Sequence, residues 1–151
     1  MNISLGLPPN PKQMEFFRAR GRHVAYGGAR GGGKSWAMRT KLIMLAVKYP
    51  GIQMLLLRRT MSQLRENHIV PMLSTLKGIA RYKSQEKVFE FYNGSRIVCG
   101  YCANEIDALN YQGQSYDVIG MEEATQFTEQ QMDWIATSNR PTGPGYPAVF
   151  I

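Results

Sequence analysis

The run Gly28-Ala29-Arg30-Gly31-Gly32-Gly33-Lys34-Ser35 fits the pattern GxxxxGK[ST] at every position. The chemistry this suits is the holding of a polyphosphate. Glycines let the backbone fold tightly enough for successive N–H groups to point at phosphate oxygens, and a helix that follows adds the positive end of its dipole. Lys34 is then placed for the β- and γ-phosphates, and Ser35 for a hydroxyl on Mg²⁺. Hydrolysis needs two more groups, a carboxylate for the metal and a base to orient the attacking water. Glu122-Glu123, at the exit of the apolar run Asp117–Met121, offers that pair. Glu122 is assigned to Mg²⁺, directly or through its water, and Glu123 to the water that attacks the γ-phosphate. On their own these acids read equally well as solvated residues at a helix start, favoured by the dipole.

The elements that must position these groups are legible around them. His23 to Tyr26 is a short apolar run ending on Gly27-Gly28, and Ser35 to Lys48 is rich in helix formers with apolar positions on several sides, so strand, glycine loop and buried helix follow one another. Pro50-Gly51 ends that helix, and Ile52 to Leu57 predicts a second strand ending on Arg58-Arg59. Thr60 with Gln63 has capping-box spacing, and Pro71 predicts a kink or restart in the helix that begins there. Lys87 to Tyr92 and Arg96 to Tyr101 flank Asn93-Gly94, a hairpin signal. Asp117 to Met121 predicts a strand, Thr128 to Ser138 a helix opened by a second capping box with Gln131, and Tyr146 to Ile151 a last strand. Strands alternating with helices predict a parallel α/β sheet with helices on both faces and one small β-hairpin. The chain reads as one domain, 1–151.

Composition narrows the class further. Of 151 residues, 44% are hydrophobic, so a single core suffices, and two cysteines make no disulfide framework. The longest apolar run, Leu42 to Val47, is six residues against the roughly 20 of a bilayer span, so a soluble, cytoplasmic protein with no membrane partner is expected. The net charge of +7 is uneven: residues 1–60 carry eleven Lys/Arg against Glu15 alone, whereas residues 61–151 carry seven against ten acids. A basic half suits a polyanion, nucleic acid or nucleotide phosphate.

Four stretches together resemble the large terminase subunit of tailed bacteriophages. Pro11-Lys12-Gln13-Met14-Glu15-Phe16-Phe17 looks like that family's adenine-recognition segment, and Tyr26 to Ser35 like its Walker A. Leu55-Leu56-Leu57-Arg58-Arg59-Thr60 resembles the strand and basic pair that follow, and Gly113 to Phe127 resembles Walker B and its exit, with Glu122 where aspartate is commoner. The match runs from about Pro11 to Asn139. It implies an ASCE-type P-loop NTPase with ATP and Mg²⁺ as cofactors. Gln13 would read the adenine edge, Gly28, Ala29, Arg30, Gly31, Gly32, Gly33, Lys34 and Ser35 would bind the phosphates, and Arg30 would also contact the γ-phosphate and couple hydrolysis to movement. The activity implied is ATP hydrolysis that drives double-stranded DNA into a procapsid. The implied partners are the small terminase subunit, the capsid portal and further copies in a ring on DNA, in the host cytoplasm. The apolar finish Ala148 to Ile151 predicts a chain cut within a larger protein, and the resemblance implies a coupling segment and a nuclease domain beyond it.

Three other readings compete. Another P-loop ATPase, helicase-like, would keep the chemistry and change the substrate it moves. A nucleotide-binding, nucleic-acid-binding module would keep the fold without turnover, although Glu123 beside Lys34 and Ser35 argues for turnover. Redox chemistry at Cys99-Gly100-Tyr101-Cys102 would need a cysteine at a helix N-terminus, but both fall in or at the end of a strand, where alternation turns them to opposite faces. His23 and His68 complete no zinc spacing with them and read as a strand residue beside the loop and a helix-surface residue.

Overall fold

The computed structural model describes residues 9–19, 21–27, 33–111, 113–143, 146 and 149–151. Asn10 opens α1 (Pro11–Arg18) with a reciprocal capping box: its side chain accepts from the Gln13 N–H at 2.8 Å, and Gln13 Oε1 accepts from the Asn10 N–H at 2.9 Å. Pro11 fits at the helix start, where no backbone hydrogen bond is lost. The chain then touches the sheet at one place, where His23 pairs in parallel with Phe150. The strand expected over residues 23–26 is thus a single ladder position in a segment that leads into the glycine loop. Residues 28–32 of that loop lie outside the described residues.

Gly33, in the left-handed conformation at φ +74°, starts α2 (Lys34–Lys48). Lys41 on this helix is buried, and its Nζ donates to the carbonyls of Phe16 (2.7 Å) and Ala19 (2.8 Å) at the end of α1. A cation there satisfies carbonyls at the negative end of the α1 dipole and ties α1 to α2. After β1 (Gln53–Arg58), Thr60 caps α3 (Met61–Leu64), which passes through a π-turn at Arg65–Ile69 into α4 (Val70–Thr75). Pro71 accounts for the π-turn. Proline has no N–H for the carbonyl four residues back, Asn67, and its ring crowds that carbonyl. The chain takes up an extra residue there, the Val70 N–H bonds back to Arg65, and the Asn67 carbonyl accepts from Arg39 on α2 instead.

β2 (Ala80–Lys83), β3 (Val88–Phe91) and β4 (Arg96–Tyr101) form an antiparallel meander. Only Gly94 takes a positive φ in the β3–β4 turn, so Asn93-Gly94 closes a three-residue loop with a bulge rather than a two-residue type I′ turn. A short α5 (Glu105–Leu109), β5 (Val118–Met121), a 3₁₀ turn at Ala124–Gln126, α6 (Glu129–Ala136) and β6 (Val149–Phe150) complete the order. The ladder of the last strand is described at Val149 and Phe150, and residues 147–148 of the expected strand lie outside the described residues.

The sheet order is β2-β3-β4-β1-β5-β6, with β4, β1, β5 and β6 parallel. Because His23 pairs beyond β6, β6 separates the strand that carries Glu122 from the segment that enters the glycine loop. β1 is apolar at successive positions because it is covered on both sides: Met54 and Leu56 face the core under α1, α2 and the π-turn helix, Leu55 and Leu57 the core under α5 and α6. The expected α/β class is the observed one, with β2, α1 and α5 added.

Candidate functional site

Parallel strands deliver their C-terminal ends, and whatever follows them, to one edge of a sheet. At that edge β1 ends on Arg58, β5 runs into Glu122 and Glu123, and α2 presents its first turn. The N-terminus of α2 is capped by no side chain, has no acid in its first turn and carries Lys34 there. A positive dipole end beside a lysine is unfavourable by itself and suits an anion. Gly33 is required as glycine by its φ; a Cβ there would also displace the amide end of Gln13, 2.5 Å away.

Ser35 Oγ donates to Glu122 Oε1, although the two residues lie 87 positions apart. Glu122 is 8% exposed, and its other oxygen, Oε2, receives His68 Nε2 and the Arg58 guanidinium, with Nη1 at 3.2 Å. Burial alone would push this carboxyl up, but the hydrogen bonds and charges of His68, Ser35 and Arg58 outweigh it and hold it down at about 2. Burial pushes the His68 imidazole below its ordinary value; Glu122 opposes this, and Arg39 and Arg58 reinforce it. Glu123 is exposed and sits at φ 58°, ψ 49°, left-handed for a residue with a side chain. Such backbone is sparsely populated and recurs at functional sites. A cavity of about 540 Å³ opens against Lys34, Glu122, Glu123 and Thr125, with apolar walls that include Phe16, Tyr26 and Met38.

The other expected residues fall as follows. Gly28, Ala29, Arg30, Gly31 and Gly32 lie outside the described residues. Gln13 is buried, with Oε1 in the α1 cap and Nε2 donating to the Gly33 carbonyl at 3.4 Å. Arg58 is 7% exposed and paired with Glu122. Arg59 donates to the Gln126 carbonyl, in the turn just after Glu123. The basic pair thus braces the acidic pair. Asp117 lies at the opposite end of β5, buried, accepting from the backbone of Gln53 (2.9 Å) and Thr142 (2.7 Å).

His68 corrects the sequence reading: it is fully buried, not on a helix surface. The signal was present, since Leu64, His68 and Met72 fall at i, i+4 and i+8 on one apolar stripe. Cys99 and Cys102 are free thiols in the two opposite cores, and burial raises them to about 12 and about 11, the reverse of an activated redox pair. Among the described residues no group of three or more His, Cys, Asp or Glu gathers to hold a metal, and no helix is long and apolar enough to cross a membrane.

The strand order and the helices on both faces define a P-loop-type α/β domain. Residues 25–151 match the family described as terminase large subunit, T4likevirus-type, N-terminal, and the chain belongs to that family. Among curated proteins none is similar enough in sequence to be matched. Three solved structures carry the same fold at low identity. The large terminase of a thermophilic bacteriophage in complex with ADP superposes with a TM-score of 0.76 at 16% identity, over 95% of this chain and 38% of that one. The large terminase ATPase domain of Thermus phage P74-26 gives 0.71 at 15%, over 97% and 65%. The HK97 bacteriophage large terminase gives 0.69 at 16%, over 96% and 33%. The chain therefore spans little more than a third of the first and about two thirds of the ATPase domain.

Proposed function

We propose that this domain hydrolyses ATP with Mg²⁺ and that hydrolysis drives double-stranded DNA into a procapsid. The observation that carries the reading is the direct Ser35–Glu122 contact beside Lys34 and Glu123. A hydroxyl and an ionised carboxylate are hard oxygen donors, the set magnesium takes, and Glu122 stays ionised down to about pH 2. Ser35 and Glu122 would hold the ion, which would supply positive charge against the phosphate charge that develops.

The chain's own groups are assigned as follows. Backbone N–H groups of Gly28, Ala29, Arg30, Gly31, Gly32 and Gly33, with the open end of α2, hold the phosphates, and Lys34 supplies the cation at the β- and γ-phosphates. Arg30 adds charge at the γ-phosphate. Glu123 orients the attacking water and takes its proton. Gln13 has spent one N–H and one lone pair on Gly33 and Asn10; the donor and acceptor left over are what an adenine edge takes. Relatives crystallised with ADP and with ATP-gamma-S support nucleotide binding of this kind. DNA, the small terminase subunit, the portal and neighbouring copies are the proposed partners.

Nucleotide binding and ATP turnover of the Lys34→Ala and Glu123→Gln variants test this. Lys34→Ala is expected to lose binding; unaltered binding removes the phosphate-loop assignment. Glu123→Gln is expected to keep binding and lose turnover by about 10²–10⁴-fold, and wild-type turnover removes Glu123 as the water-orienting residue.

A further inference from the structure

His68 is an expensive residue where it stands. It occupies a stripe with Leu64 and Met72, all three fully buried, where another apolar side chain would satisfy the core. Among the described residues its Nδ1 has no hydrogen-bond partner, and neither does Nε of Arg58, the other group on Glu122 Oε2. Buried polar atoms left unpaired cost stability and call for a reason. Among the described residues the one side chain hydrogen-bonded to His68 is Glu122. A carboxylate accepts only, so the proton between them lies on Nε2, and the imidazole donates.

The two oxygens of Glu122 are thus divided. Oε1 faces Ser35, at the mouth of the site, while Oε2 is gripped from inside the fold. The grip has rigid backing, because His68 lies in the π-turn and the neighbouring Asn67 carbonyl is bonded to Arg39, one helical turn after Ser35 on α2. We propose that His68 is a positioning residue for Glu122, holding Oε2 so that Oε1 stays turned to Ser35 and to the magnesium of the nucleotide complex. This rests on the nucleotide-site reading above and goes beyond it, since it assigns the metal carboxylate its own orienting partner. Such outer partners change metal affinity or activity by about 10–100-fold when removed.

The test uses Mn²⁺ in place of Mg²⁺, with ADP, and reads bound manganese by electron paramagnetic resonance. His68→Leu is expected to bind ADP like wild type in EDTA but to lose about 10–100-fold in Mn²⁺ affinity in the ADP complex. His68→Gln should recover most of it, because the Gln amide N–H reaches as far as the ring Nε2. His68→Asn should not, because its amide reaches only as far as Nδ1. A folded His68→Leu protein with wild-type Mn²⁺ affinity overturns the proposal, and so do equal affinities for the Gln and Asn variants, which decide the matter if the Leu variant fails to fold. Wild-type protein that binds neither ADP nor Mn²⁺ overturns the nucleotide-site reading and this one with it. Binding by wild type and by His68→Leu alike overturns this one alone.

Discussion

Glu122 stands where aspartate is the commoner residue in the family it resembles, and the structure gives the longer arm a use. Its carboxylate spans two sets of donors, Ser35 on one side and His68 with Arg58 on the other. Removing one methylene draws the carboxylate back by about 1.5 Å, so an aspartate reaches one set only while β5 stays where it is. Glu122→Asp is therefore expected to fold, to bind nucleotide in EDTA, and to need about tenfold more Mg²⁺ for half-maximal turnover. A metal titration of turnover checks this, and an unchanged midpoint means that the extra length has no part in holding the ion. At this scale the sequence carried the types and spacing of Lys34, Ser35, Glu122 and Glu123 in full. It did not reveal the second set of donors: the stripe of Leu64, His68 and Met72 signals burial of His68, but that it and Arg58 meet Glu122 is set only when β1 and the π-turn pack beside β5.

The elements that hold the site meet at Asn67. Pro71 removes the backbone donor for its carbonyl, the chain bulges, and Arg39 supplies the missing hydrogen bond from α2. Arg39→Met should leave that carbonyl poorly satisfied and cost about 1–3 kcal/mol. In a Pro71→Ala background the new N–H can take over, so the same Arg39→Met change should cost clearly less. Thermal or denaturant unfolding of the four proteins gives the coupling; strictly additive losses mean that Arg39 and Pro71 do not share this carbonyl. Legibility at this scale follows length and burial. β1, α2 and β5 are buried apolar runs, and α6 has its Thr128–Gln131 capping box, so their types were readable. β2 is four residues of mostly polar edge, and α5 is five residues, too short to show a period. α1 was signalled by Asn10-Pro11 and Gln13, a capping box of the kind recognised elsewhere in the chain, but its Pro-rich approach masked it.

Across the whole molecule, the basic first half is less of a surface than its count implies. Lys41 and Arg58 are buried on carbonyls and on Glu122, and Arg39 is half-buried on Asn67. Part of the positive charge is thus internal, spent on joining α1, α2 and the π-turn to the site. The cost of that arrangement is sensitivity to acid. The imidazole of His68 is pushed down by burial, so below its unfolded value of about 6.5 the unfolded chain takes up a proton that the folded chain refuses. Stability must fall as pH falls through that range. Glu122 adds to this lower down: its value drops from 4.5 unfolded to about 2 folded, so its contribution is complete above 4.5 and is lost as pH falls towards 2. Both groups act in the same direction, and the melting temperature is expected to decline from neutral pH downwards in two overlapping steps. His68→Gln, which cannot titrate, should flatten the upper step below about pH 6.5 and weaken the lower one, because His68 is a main cause of the low Glu122 value. Melting curves of the two proteins from pH 7.5 to 4 decide it; parallel curves would show that the imidazole gains its proton in the folded protein as easily as in the unfolded chain, and that acid acts on the fold elsewhere.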